Sequence, residues 1–134
     1  MSSTATDTDR SQDAFWWQGS LMRIKARAAD TGGAFGLVEG SFPEGFGPPL
    51  HVHHREDEGF YVLEGEIRFR QGDDEFVAGR GTLVWGPRGV PHAFKVQPGG
   101  ARALVIVHAR RLRAHVRGGW RAGMRVGGTS CWTV

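Results

Sequence analysis

Four side chains in this sequence have the types and spacing to hold a metal ion. Between residues 51 and 65 the chain reads HVHHREDEGFYVLEG. His51 and His53 stand at i and i+2, so on an extended chain they face the same way. At a rise of about 3.3 Å per residue their side chains start about 6–7 Å apart. From there two imidazoles can converge on one ion through bonds of about 2.1 Å. Glu58 comes five residues after His53, far enough for a turn to swing its carboxylate beside them. His92, in the segment GTLVWGPRGVPHAFKV, supplies the fourth ligand. Three imidazoles and one carboxylate suit one divalent transition metal, whether Fe, Mn, Ni, Cu, Co or Zn, with coordination positions left open for substrate or water.

Such ligands must be carried by elements that bring residues 51–58 next to residue 92. At 134 residues, with 40% hydrophobic residues and eight phenylalanines, the chain is one domain able to bury a core. Its 21 glycines and short alternating runs, bounded by Gly and Pro, argue for an all-β sandwich or barrel over a helical bundle. A strand pair is expected in 15–28, a turn at Asp30–Gly33 and a strand from Ala34 to Phe42. Pro43–Pro49 reads as a loop whose prolines cannot donate to a ladder.

Leu50–His54 is expected as the first ligand strand, with Arg55–Asp57 as the turn after it and Gly59–Glu64 as the next strand. Beyond Gly65, Ile67 and Phe69 alternate with Arg68 and Arg70. GDDE at 72–75 marks a hairpin turn. Further strands are expected at 75–78, 82–85, 92–96 and 101–107. Eight to ten short strands at regular spacing are the pattern of a jelly roll or small barrel. In a closed antiparallel sheet the strand opened by His92 can lie beside the His51/His53 strand, with all four ligands pointing inward.

With both segments in view, the sequence resembles the cupin superfamily, in particular its small single-domain, quercetin-dioxygenase-like members. The first motif of that family is matched by Gly45, His51, His53, Glu58 and Gly65, and the second by Gly81, Pro87, Gly89 and His92. Where the family often has Asn, four residues after the last histidine, this chain has Val96; that Asn is not a ligand. The resemblance covers roughly residues 20–107. It implies a double-stranded β-helix, or jelly-roll cupin barrel, and a mononuclear metal centre. The activity implied is an oxygenase acting on a flat aromatic or enol-type small molecule, in which Glu58 doubles as general base. The alternatives are a metal-assisted cyclase or isomerase of a polyketide-like precursor and a cupin that binds a small molecule without chemistry.

Other residues are weighed against plainer roles. His54 alternates outward and reads as a surface residue, Glu56 and Asp57 as turn carboxylates. Phe42, Phe60, Trp85 and Phe94 are expected mainly in the core. Those of them that face the mouth, with Tyr61 as a donor of undetermined facing, would line an aromatic substrate pocket. The exposed aromatic run Phe15-Trp16-Trp17 is a candidate contact patch for a homodimer.

Charge divides the chain. Residues 1–75 carry seven Lys/Arg against all fourteen acids, a balance of −7, and residues 76–134 carry ten Lys/Arg and no acid, a balance of +10. The basic residues interleave with strand-like apolar ones or fall in a Gly-rich tail, without a nucleic-acid motif, so neither nucleic acid nor membrane is expected as a partner. The single cysteine, Cys131, suits a reducing compartment. The polar start of the chain lacks the pattern of a signal peptide. A soluble cytoplasmic protein is therefore expected. The domain is expected over residues 15–109, with residues 1–14 as a disordered tail. Residues 108–134 hold six Arg, five Gly and two Trp with no acid, a composition that GC-rich codons give when read out of frame. The segment 110–134 is expected to be a frame-shifted or otherwise unselected ending with little ordered packing; a basic arm is the alternative.

Overall fold

The computed structural model describes residues 13–109, together with two-residue strands at Arg125–Val126 (β8) and Thr129–Ser130 (β9). The expectations for residues 1–12 and for most of 110–134 lie outside the described residues. Among those described, the chain is antiparallel β with no α-helix. It runs β1 (Ala14–Trp17), β2 (Ser20–Ala26), a single 3-10 turn (Ala28–Thr31), β3 (Gly36–Phe42), β4 (Glu56–Gln71), β5 (Asp74–Ala78), β6 (Leu83–Gly86) and β7 (His92–Ala109). The sheet order is β1-β2-β3-β7-β4-β5, with β6 also on β4. This is the jelly-roll barrel.

Its spine is the pair β4 and β7. They run antiparallel over nearly their whole lengths, from Glu56 opposite Ala109 to Gln71 opposite His92. The sequence suggests eight to ten short strands; the structure instead has two strands of 16 and 18 residues where four were expected. Gly65 and Pro98–Gly100 read as strand ends, but they are irregularities within continuous strands. The ladder shifts register between Gly65 and Ile67 and has no paired residue from Gln97 to Gly100, so the missing N–H of Pro98 costs no ladder bond. Gly65, Gly99 and Gly100 all have positive φ. A side chain at Gly65 would run into the Gly100 carbonyl.

Strand alternation sorts the core. Phe60, Val62, Ile67 and Phe69 of β4 face inward with Phe94, Val96, Ala103 and Val105 of β7. Phe60, Phe69 and Phe94 meet in tilted and edge-on contacts with ring centroids 5.3–5.8 Å apart, and Phe42 and Phe46 complete the cluster at 5.1–5.9 Å. Rings at these separations gain offset and edge contacts beyond their burial. The β4–β5 turn is the expected tight hairpin, closed by Gly72 and Asp73 between the paired Gln71 and Asp74.

The expected strand Leu50–His54 does not form. Only His51 makes a bridge, to His92, through reciprocal backbone hydrogen bonds of 3.0 and 2.8 Å. Beyond that bridge the segment runs beside β7 without a ladder. Glu56 and Asp57, expected in a turn, already belong to β4. Among the described residues no helix is long and apolar enough to cross a membrane.

Candidate metal centre

The four predicted ligands come from three segments that the fold draws together. β4 turns Glu58 inward, on the same face as Phe60. The backbone bridge of His51 with His92 fixes the irregular segment against the first residue of β7. One ligand atom from each of His51, His53, Glu58 and His92 lies within 4.8 Å of all the others, and all four residues are buried. Glu58 Oε2 is 3.1 Å from His53 Nε2 and 3.0 Å from His92 Nε2. Donor atoms bonded at about 2.1 Å to a common ion stand about 3–4 Å apart, so these pairs already have the spacing of shared coordination. The residues present fit a divalent transition metal.

The state of His51 fits too. His51 donates Nδ1–H to the Pro49 carbonyl at 2.7 Å, which fixes its tautomer and leaves Nε2 as a lone-pair donor. Burial, the main influence, pushes the His51 pKa down, favouring the neutral ring that a metal needs. For Glu58, burial raises the pKa, but hydrogen bonds from His53 and His92 outweigh it and hold the carboxyl at about 2. His92 is packed closely: a Cβ at Gly86 would sit 3.1 Å from the Glu58 carbonyl and 3.5 Å from His92 Nδ1. The tight contact is with the Glu58 carbonyl, so glycine at 86 lets β6 lie close against the strand that carries Glu58.

Of the five residues expected to line a pocket, Phe42, Phe60 and Phe94 come together in the core, and Tyr61 and Trp85 do not join them. Glu58 faces inward, so alternation puts Phe60 inward and Tyr61 outward. Trp85 lies opposite Gly59 on β6 and also faces out; Tyr61 and Trp85 are 39% and 44% exposed. Phe60 and Phe94 are core residues in mutual contact. Phe42 packs on Phe46 and Phe94 and borders an open surface groove with Trp16, Leu21 and Arg102. That groove reaches Gly65, seven residues along β4 from Glu58 and so about 20 Å away. His54 is exposed, as expected.

Two residues beside the centre escape a reading by sequence. Asp57 is held by Arg88, and the Arg88 hydrogen bonds with its guanidinium charge depress the carboxyl to about 2. Thirty-one positions separate them, so no local pattern joins them. The only sequence signal is that each adjoins a ligand-bearing stretch.

Comparison with known proteins agrees with the geometry. The family model described as "Cupin domain" matches residues 38–108, which contain all four ligands. A quercetin 2,3-dioxygenase from Bacillus subtilis (strain 168) is 31% identical over 74 residues; these are 55% of this chain but only 22% of that protein, so the chain spans about a fifth of its relative. Among solved structures, KdgF from Halomonas sp. superposes with a TM-score of 0.65 at 19% identity, over 74% of this chain and 87% of that one. A predicted oxalate decarboxylase from Thermotoga maritima gives 0.63 at 19% identity, over 68% and 81%. At these identities the structural matches speak for the fold alone.

Proposed function

The chain belongs to the cupin family, and we propose that it is a mononuclear metal enzyme, an oxygenase acting on a flat aromatic or enol-type small molecule. The observation that carries this reading is the buried convergence of three imidazoles and one carboxylate within 4.8 Å. The likeness to a quercetin 2,3-dioxygenase supports the choice of reaction. His51, His53, Glu58 and His92 would hold the ion. When bound, it supplies Lewis acidity and, if redox-active, a path for electrons between substrate and dioxygen.

The remaining steps belong to the chain's own residues. The Pro49 carbonyl keeps His51 in one tautomer. The packed rings of Phe60, Phe69 and Phe94 close the interior beside the centre and limit the water that reaches it. Glu58, the carboxylate of the set, is a weak base at a pKa of about 2, so it would take the hydroxyl proton of an enol or phenol whose acidity a bound ion would raise, which yields the electron-rich anion that dioxygen attacks. Both oxygen atoms enter the product and the substrate provides the electrons, so no outside reductant is required.

The test is stoichiometric metal analysis followed by oxygen uptake with a flavonol-like substrate. Bound Fe, Cu, Ni or Mn with uptake that Glu58→Gln abolishes is the expected result. Zn with anaerobic turnover would replace this reading with a metal-assisted cyclase or isomerase. Ligand binding indifferent to chelator would replace it with a non-catalytic binding cupin. We also propose a homodimer through β1, an edge strand whose Trp16 is 73% exposed; a monomer in sedimentation would remove that assignment.

A further inference from the structure

The loop that delivers His92 is fastened from outside the barrel. Asp57 precedes the ligand Glu58 on β4, and alternation turns its side chain to the opposite face. Its Oδ1 accepts the backbone N–H of Arg88 at 2.8 Å and Arg88 Nε–H at 3.1 Å, while Oδ2 accepts Nη2–H at 3.1 Å. The backbone bond matters most for geometry, because it fixes the loop itself rather than the end of a long side chain. One residue further on, Gly89 N–H donates to the His53 carbonyl at 2.7 Å, and Val90 N–H closes the turn on the Pro87 carbonyl at 3.3 Å. The four residues before His92 are thus tied to the His53 segment on one side and to the Glu58 strand on the other. Arg88 Nη2–H also reaches the His108 carbonyl at 3.4 Å, and His108 Nδ1 lies 3.5 Å from Asp57 Oδ2. The end of β7 therefore joins the same clasp.

We propose that Asp57 and Arg88 are a positioning pair that sets the separation of Glu58 and His92, and thereby the affinity and coordination geometry of the metal centre. Neither side chain touches the ligand atoms; each acts through the backbone that carries them. A planar fork that pairs with both carboxylate oxygens is specific to arginine. The molecule holds an internal control. Arg102 makes a similar double pairing, to Glu39 at 3.2 Å and Glu64 at 2.9 Å, but on strand positions that do not adjoin a ligand.

This inference rests on the metal-centre reading, and cobalt(II) titration of the full chain tests both. Asp57→Ala and Arg88→Ala should bind Co(II) about 10- to 100-fold more weakly, with altered visible d–d absorption. Arg88→Lys should not restore the parental spectrum, and Arg102→Ala should bind as the parent does. If Asp57→Ala folds poorly, Asp57→Asn gives the same comparison, with a weaker effect of the same sign. Parental Co(II) affinity and spectrum in the Asp57 and Arg88 variants would overturn the pair's role while leaving the centre standing. Equal weakening by Arg102→Ala would overturn it as well, by reducing the effect to general stability. A parent chain that binds no Co(II) would remove the metal centre, and this inference with it.

Discussion

The interior built on the β4–β7 ribbon has two halves of opposite content, and both strands contribute to each. One holds three imidazoles and a carboxylate converging on one point, with Glu58 from β4 and His92 from β7. The other holds tilted aromatic rings, with Phe60 and Phe69 from β4 and Phe94 from β7. The rings stabilise the fold by burial and contact. The polar cluster is buried but internally paired, through the hydrogen bonds of Glu58 with His53 and His92, and its distinctive property is the ion it can bind. Folding and binding are thus assigned to different inward positions interleaved along the same two strands, Glu58 beside Phe60 and His92 beside Phe94, and substitutions at the two kinds of position should act separately.

The largest effect should come from the apolar half. Phe69 is 1% exposed, and Phe69→Ala should cost about 3–5 kcal/mol in denaturant unfolding while the folded fraction keeps its metal affinity. A variant that loses affinity in proportion to stability would break the comparison. Next comes the ion itself. At 100 times its Kd a metal that binds only the folded state adds about 2.7 kcal/mol. The parent and Phe69→Ala should both show that gain in thermal unfolding, and His51→Ala should show none.

Gly65 tests the same separation at a backbone position. Its φ of 76° and the nearby Gly100 carbonyl predict that Gly65→Ala costs about 1–3 kcal/mol, with little change in Co(II) affinity. The smallest effect concerns Asp57, whose carboxyl is depressed from 3.8 to about 2, chiefly by its hydrogen bonds with Arg88. A depressed carboxyl stabilises the fold fully above its ordinary value, and that stability is lost as pH falls through the folded value. The stability difference between the metal-free parent and Asp57→Asn should therefore be constant at neutral pH, shrink below about pH 4 and vanish near pH 2. A difference unchanged over that range would show that the charge of Asp57 is not what holds Arg88.

The ligand set was legible because metal chemistry needs particular residue types, and His51, His53, Glu58 and His92 are those types at spacings a barrel can close. The all-β class was legible from alternation. Strand lengths were not: Gly65 and Pro98–Gly100 look like ends in sequence, and only the partner strand shows that pairing resumes beyond them. The His51/His53 segment has the alternation of a strand, but only His51 pairs with a neighbour, through its bridge to His92. The outward placement of Tyr61 and Trp85 depends on parity counted from Glu58, which requires knowing that β4 runs unbroken from residue 56. The Asp57–Arg88 clasp is a tertiary pairing across 31 positions, beyond any local rule.

The central claim is that these four side chains form one metal site, and metal analysis of His92→Ala beside the parent tests it most directly. The parent should hold about one transition-metal ion per chain and the variant almost none, with the same β circular dichroism in both. A folded His92→Ala protein holding the full parental complement of metal would contradict it.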